Sequence, residues 1–559
     1  MLDGQSSAAR RPDRPAASLD GFAAETFQDL VRAYVDDRFG LDPVAATVAG
    51  IHDHDARLGD LSADGFAARE AFVETWLHRL EGRDAASLSP ADRTDRDLLV
   101  ADLRGEHALL PFERWRRHPG LYSDAITRGA YYALIRDEAL DEERFVALAE
   151  RLEQAPAALD SARANLDPDR VPPVWVVVAG ETATAGATFV RAVLPSVVPD
   201  GPAKAAIAGA GKRAGDALDA YASWLRDDLM RRARGSFAIG PEAFEALIRE
   251  KELLPYDVGT LRQFGQELYA ETESKLAEAA RSLGDSDWRV SVARLRQDHP
   301  AEDQLVATYR LEMERSREAT VVAQLATLAP GESLEVEAMP DFSRSTYPYA
   351  AYVGPGSFER SRHGRFWVTL PLRSEPQMVR TERLEGHPRK GIAVIACHEG
   401  YPGHHLQLGL AADQPSLARK VVRSNVFIEG WGLYVEELMT ELGYLTDPET
   451  RLLRLKDLLW RAARVVVDIG LSTGEMSFEQ AVKFMIEGPK LERPNAVGEV
   501  RRYTLNPLQP SSYALGRASI LDLRERAKRA GWGMREFHDR LLAGGSLPPA
   551  LAAREVGLE

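Results

Sequence analysis

The residues best suited to chemistry fall in one short run, Ala396-Cys397-His398-Glu399-Gly400-Tyr401-Pro402-Gly403-His404-His405-Leu406-Gln407. The apolar stretch Ile392 to Cys397 leads into it, so the run is expected to emerge from the interior. Imidazoles and a carboxylate taken out of water need partners, and a divalent metal is a good one. When a zinc site is built on one straight helix, two His at i and i+4 share a face and the Glu after the first acts as base. Here the i+4 position from His398 is Pro402. On a straight helix His404, at i+6, would lie ~240° round at ~100° per residue. His405, at i+7, returns to nearly the same face but ~10 Å further along at ~1.5 Å per residue. Pro402 removes a helical donor and Gly403 tolerates unusual dihedrals. A local bulge is therefore expected to bring His404 beside His398, with His405 as the other candidate.

A third ligand is available downstream in Phe427-Ile428-Glu429-Gly430-Trp431-Gly432. A helix–loop–helix return would carry Glu429 back to the His pair. Two nitrogens and one oxygen leave a fourth position for water, as catalytic zinc requires. The expected cofactor is one Zn²⁺ per chain, held by His398, His404 and Glu429, with Glu399 as the base in amide hydrolysis. The same donor set makes the facial triad of non-haem iron enzymes. Glu399 beside His398 favours hydrolysis, which needs a base at the attacking water. A non-catalytic helical protein with a structural metal would instead close the site with four protein ligands.

Further candidates surround this set. Tyr513 and Arg517 stand at i, i+4, and Tyr513 could donate a hydrogen bond to a developing oxyanion. Asp468 either orients a ligand His or pairs with Arg464 at i, i+4. Whichever of His404 and His405 is not a ligand is expected to support the ligands or face substrate. Trp431 reads as core, Cys397 as a small buried filler, and His52 with His54 as part of a polar loop.

The elements that must position these groups are mainly helical. Phe22, Phe27, Leu30, Val31 and Tyr34 make an amphipathic stripe, and similar stripes recur near 63–81, 90–110, 140–166, 203–233, 240–253 and 257–284. Ser89-Pro90 is a helix start, a capping hydroxyl before a proline. Between about 331 and 372 the pattern changes. Leu334, Val336 and Ala338 alternate with Glu335 and Glu337, and Tyr349 to Val353 and Phe366 to Leu370 are two more β-rich runs. Helical patterns resume near 388. The expected architecture is a large helical body with a small inserted sheet near the metal site. Residues 1–20 read as a loose tail, 21–330 as a helical N-terminal region, and 331–559 as sheet plus metal-binding helices continuous with what precedes.

Composition excludes some classes. The net charge of −15 argues against nucleic acid and anionic membranes as general partners. The single Cys397 rules out an intramolecular disulfide and a Cys-built metal cage. The run Val174 to Ala179 is far short of the ~18 apolar residues of a membrane span. A cytoplasmic protein acting on peptides or small peptide-like molecules is the expectation, and oligomeric state is not readable.

These motifs together resemble a bacterial family catalogued as a domain of unknown function, number 885, similar in pattern to gluzincin zinc metallopeptidases. The resemblance rests on His398-Glu399-Gly400-Tyr401-Pro402-Gly403-His404-His405-Leu406-Gln407, on Glu429-Gly430-Trp431 with Tyr434 and Glu436, and on Arg461 to Gly470. It continues through Tyr503, Pro507, Ser512 to Arg517 and Phe537-His538. It implies a metal-dependent hydrolase and supplies no substrate. It also implies a strand beside the metal helix that holds extended substrate; Phe366 to Leu370, with Trp367, is the candidate, since a free strand edge is a template for another chain. One position departs from the resemblance: a His often follows the Asp-x-Gly pattern, and here Ser472 stands there.

Overall fold

A computed structural model of the chain describes residues 26–136, 142–344 and 347–559. The expected tail, 1–20, and Phe22 of the first stripe lie outside the described residues. The protein is mainly α-helical with one small sheet. The first stripe is the helix Phe27–Leu41, whose N-terminus is closed by Thr26, the side chain accepting from the Asp29 N–H. Ser89 caps Pro90–Leu109 in the same way, accepting from the Asp92 N–H. The stripe at 140–166 is two helices, Glu142–Glu153 and Ala155–Asn165. Pro156, which lacks a helical N–H, is tolerated there because it opens the second helix.

Beyond the stripes named above, the structure adds the helices Gly120–Ile135, Trp288–Arg296 and Leu305–Val322, and two more stretches differ from the sequence reading. The run Val174 to Ala179 belongs to a continuous helical stretch, Pro173–Val197, long and apolar enough to cross a membrane by length and composition alone. Gly180, Glu181, Thr182 and Thr184 interrupt the apolar run without ending the helix. Half of its most apolar window is buried, against the helices Gly120–Ile135 and Pro202–Trp224. A helix flanked on more than one side is apolar on more than one face. Helix also resumes before 388, in Gln377–Glu385.

The sheet has three strands, β1 (Ser333–Ala338), β2 (Ala350–Val353) and β3 (His363–Val368), in the order β1-β3-β2. β3 is the middle strand, parallel to β1 and antiparallel to β2. The expected exposed edge at Phe366 to Leu370 is therefore corrected. Phe366, Trp367 and Val368 sit on a strand paired on both sides and buried on both faces.

Beneath the sheet runs α1 (Leu305–Val322). Tyr309 and Met313 of α1, Val336 of β1, Phe366 and Val368 of β3, and Ile392 and Ala396 of α2 (Arg389–Glu399) close one apolar cluster. That cluster fixes the helix that ends in the His-Glu pair against the sheet. The apolar clusters also run across position 330: Leu30, Val31 and Tyr34 pack in the same core as Phe427, Trp431 and Phe537.

Candidate metal centre

The helix α2 stops at Glu399, and α3 (His404–Ala412) starts within five residues on a new axis. The turn folds so tightly that a Cβ on Gly403 would lie 1.9 Å from the His398 carbonyl oxygen, so only glycine fits. His398, in the last turn of α2, meets His404, the first residue of α3, edge to face with ring centroids 4.7 Å apart. The helix α4 (Asn425–Glu441) lies across them. Its Trp431 Nε1–H donates to the Pro402 carbonyl at 2.8 Å, which ties α4 to the turn. A Cβ on Gly432 would stand 2.7 Å from the His398 ring, so this glycine makes the space the imidazole fills.

These contacts bring Glu429 to the His pair. Its Oε2 lies 3.3 Å from His404 Nε2 and 4.0 Å from His398 Nε2. One ligand atom from each of the three falls within 4.8 Å of the others. Tetrahedral zinc with bonds of ~2.0–2.1 Å needs donor atoms roughly 3.3 Å apart, so the set fits such an ion after a small contraction. The far side of two of the three ligands is also held, while the buried His404 Nδ1 has no hydrogen-bond partner among the described residues. Glu436 Oε1 lies 2.8 Å from His398 Nδ1. With Nε2 on a metal, Nδ1 would carry the proton and donate it to Glu436, which would fix tautomer and ring orientation. Gln509, on α7 (Gln509–Arg529), donates to Glu429 Oε1 at 2.9 Å.

The charges suit a cation. Burial pushes His398 well below its usual range, leaving it neutral. Burial would raise Glu429, but His404 and His398 beside it hold it at about 2. Burial would lower His404, and the Glu429 carboxylate more than offsets this, so its pKa rises. Burial pushes Glu436 up to about 7. Glu399 is different in kind. It lines the cavity beside the triad and, among the described residues, makes no hydrogen bond and no ion pair; burial pushes it up to about 7.

The cavity in front of the triad measures about 390 Å³. It is bounded by β2 (Ala350 to Tyr352) and by side chains of α5 (Pro448–Thr473), α6 (Arg493–Leu505) and α7. Among the strands it is thus β2, an edge strand, that borders the cavity. Tyr513 stacks beside His398 with ring centroids 6.0 Å apart, and its hydroxyl oxygen accepts from Gln509 Nε2 at 3.4 Å, leaving its own proton free to be donated.

Four candidates sit elsewhere. His405 turns away from the triad, with Nε2 2.8 Å from Glu332 Oε2 and Nδ1 3.0 Å from the Tyr352 hydroxyl. It clamps α3 to the sheet and does not line the cavity in front of the triad. Asp468 neither reaches a ligand His nor pairs with Arg464. It is fully buried and accepts from the Leu508 and Ser511 N–H groups and the Ser511 hydroxyl, fastening the start of α7. Arg464 goes to Glu499 at 2.9 Å instead. Arg517 is held by Glu437 at 2.8 Å, outside the cavity. Trp367 packs against Tyr131 in the N-terminal core, its indole N–H donating to Glu337 at 2.9 Å. Ser472 hydrogen-bonds Asp468 at 3.2 Å and does not border the cavity. Cys397 is buried, and His52 pairs with Asp55 at 2.9 Å. Sequence reasoning assigned no role to Glu436 or Gln509. Glu436 was within reach, since it stands two helical turns after Glu429 on the same face.

The family model described as bacterial protein of unknown function (DUF885) matches residues 43–556, and the chain belongs to that family. Among solved structures, the chain is similar to a candidate lipoprotein of unknown function from Shewanella oneidensis, at 24% identity and a TM-score of 0.77, covering 96% of this chain and 100% of that one. It is also similar to a candidate lipoprotein from Colwellia psychrerythraea, at 19% identity and a TM-score of 0.78, covering 96% and 99%. Both show the fold alone. No curated protein matches.

Proposed function

We propose that this protein is a zinc-dependent peptidase that hydrolyses amide bonds of short peptides. The observation that carries the reading is Glu399: a cavity-lining carboxylate with no hydrogen bond or ion pair among the described residues, next in sequence to His398 of a two-His, one-carboxylate set. A structural metal site has no use for such a group, whereas hydrolysis does. Zinc held by His398, His404 and Glu429 would supply Lewis-acid activation of water and of the scissile carbonyl. Glu399 takes a proton from the attacking water at its carboxylate oxygen and hands it to the leaving amine. Burial raises its affinity for a proton, which suits a group that must take one up and pass it on. Tyr513 donates its hydroxyl proton as a hydrogen bond to the carbonyl oxygen as charge grows there. Glu436 and Gln509 hold two ligands in place so that no reorganisation is needed at the moment of reaction.

Protein purified from zinc-supplemented cells should contain about one zinc per chain by elemental analysis, the number a single three-ligand site takes. Full occupancy after replacing both His398 and Glu429 by Ala would remove the site from consideration.

The two neighbouring histidines should behave oppositely. His404→Ala should lose zinc. His405→Ala should keep zinc and lose stability, by about 1–3 kcal/mol, because Glu332 and the Tyr352 hydroxyl each lose a hydrogen-bond partner, with Tyr401 and Arg317 remaining on Glu332. Chelator competition and denaturant titration on the same two variants check this. Retention of zinc by His404→Ala with loss in His405→Ala would reverse the assignment. For location we keep the cytoplasm on composition alone. The names of both similar solved chains contain the word lipoprotein, and recovery of this chain in a membrane fraction would overturn that choice.

A further inference from the structure

The cavity is lined by four arginines and a lysine beyond the metal ligands, and all but one of these five have a carboxylate at hydrogen-bonding distance. Arg296 meets Glu492 at 2.7 Å and Lys456 meets Asp457 at 3.1 Å. Arg464 and Arg502 both meet Glu499 at 2.9 Å. Arg461 is the exception. It is only 4% exposed, yet its nearest carboxylate oxygens are Asp457 Oδ1 at 3.8 Å and Glu436 Oε1 at 3.9 Å, already engaged by Lys456 and His398. Its one hydrogen bond is a long one, from Nη1 to the Asp457 carbonyl at 3.4 Å. Among the described residues Nη2 has no hydrogen-bond partner, and neither has the buried Nε. Arg464 beside it also has an unpartnered Nη1. A guanidinium withdrawn from water with only shared carboxylates beyond hydrogen-bonding distance is costly, and the planar fork suits a carboxylate above other groups.

Its place limits what that carboxylate belongs to. Arg461 lies against Trp460, 4.5 Å from the ring centre, and reaches toward the Tyr513 ring at 5.8 Å. The Glu436 oxygen it approaches is the one 2.8 Å from His398 Nδ1. Arg461 is thus one side chain removed from a metal ligand. An extended peptide advances about 3.3–3.6 Å per residue, so a carboxylate held here leaves room for one or two residues between it and the bond at the triad. A cavity of about 390 Å³ is at the small end of the roughly 300–1,000 Å³ usual for small-molecule sites.

We infer that Arg461 anchors the free C-terminal carboxylate of a short peptide, so that the site removes one or two residues from the C-terminal end. This rests on the peptidase reading above. The test measures binding by calorimetry to the zinc-loaded Glu399→Gln protein, and cleavage by the parent enzyme. The probes are N-acetylated alanine peptides ending in a free acid, the same peptides ending in an amide, and an amidated peptide ending in aspartate. The acid should bind about ten- to a hundredfold more tightly than the amide, as a charge-assisted contact implies. Arg461→Gln should erase most of that difference and leave amide binding unchanged; Arg461→Lys should keep part of it. Equal binding of acid and amide by the Glu399→Gln protein overturns the anchor without any Arg461 variant having to fold. Equal binding of the amidated aspartate peptide and the free acid also overturns it, in favour of an acidic side-chain pocket. Preferred binding of the acid with no cleavage by the parent enzyme keeps the anchor and defeats the peptidase reading.

Discussion

Glu399→Gln should leave zinc content and fold intact and lower peptide turnover by ~10²–10⁴-fold, the usual contribution of a general base. Glutamine has the same shape and cannot accept the water proton. The variant is clean because Glu399 makes no hydrogen bond or ion pair among the described residues, so no neighbour is orphaned. Stability should not fall. Burial disfavours the charged carboxylate here and pushes its pKa up to about 7, and a neutral amide escapes that penalty. Zinc analysis, a denaturation midpoint and kcat/KM on one preparation decide the matter. Unchanged turnover would take Glu399 out of the mechanism; lost zinc would make it a ligand instead.

What the sequence makes legible at the site is local. Pro402 and Gly403 mark a break because their backbone chemistry forbids a straight helix, and the chain does turn there. The identity of the histidine facing Glu429 follows from that turn. The task of His405 does not, because its partner Glu332 precedes the sheet and comes near only when β1 is laid down. Asp468 fails in the same way. An i, i+4 partner, Arg464, is visible in sequence, but the backbone of Leu508 and Ser511 is the better partner and is brought up only by packing of α5 on α7. Arg461 opens one of the motifs that carry the resemblance, but the sequence assigns it no role. It lacks a close carboxylate because those around it, Asp457, Glu436 and Glu499, are already matched to Lys456, to His398 and to Arg464 with Arg502.

For the fold, helices with one apolar stripe are readable and those buried on several faces are not, as Pro173–Val197 shows. The strands are found but not their order. β1 pairs with β3 across the intervening β2, a parallel neighbour that no short-range signal announces. One clue was present. Phe366-Trp367-Val368 is a continuous apolar run, which suits a strand covered on both faces, whereas Leu334 to Ala338 alternates as a half-exposed strand does.

The second large effect should come from a glycine with no chemistry of its own. The helices α4 and α7 cross with Gly430 and Gly516 in contact. A Cβ on Gly516 would lie 1.8 Å from the Val426 carbonyl oxygen and 2.6 Å from the Gly430 Cα. Both obstacles are backbone, so no rotamer change relieves them and the helices must separate. Gly516→Ala should therefore cost about 3 kcal/mol, the upper part of the range for overpacking. Gly180→Ala is the control: it lies inside a helix with nothing within 4 Å of its added Cβ, and should stabilise by roughly 0.5–1 kcal/mol through helix propensity. The opposite signs separate a steric cause from a general response to substitution. Separation of the helices also has a consequence at the metal. Glu429 precedes Gly430 on α4, and Gln509, which holds its second oxygen, is on α7. Spreading the crossing pulls these apart, so Gly516→Ala should weaken zinc binding although it touches no ligand. A denaturation midpoint like that of the parent would mean the crossing can open freely. Lost stability with parental zinc affinity would mean that Glu429 is positioned by the turn at Pro402 and Trp431 alone.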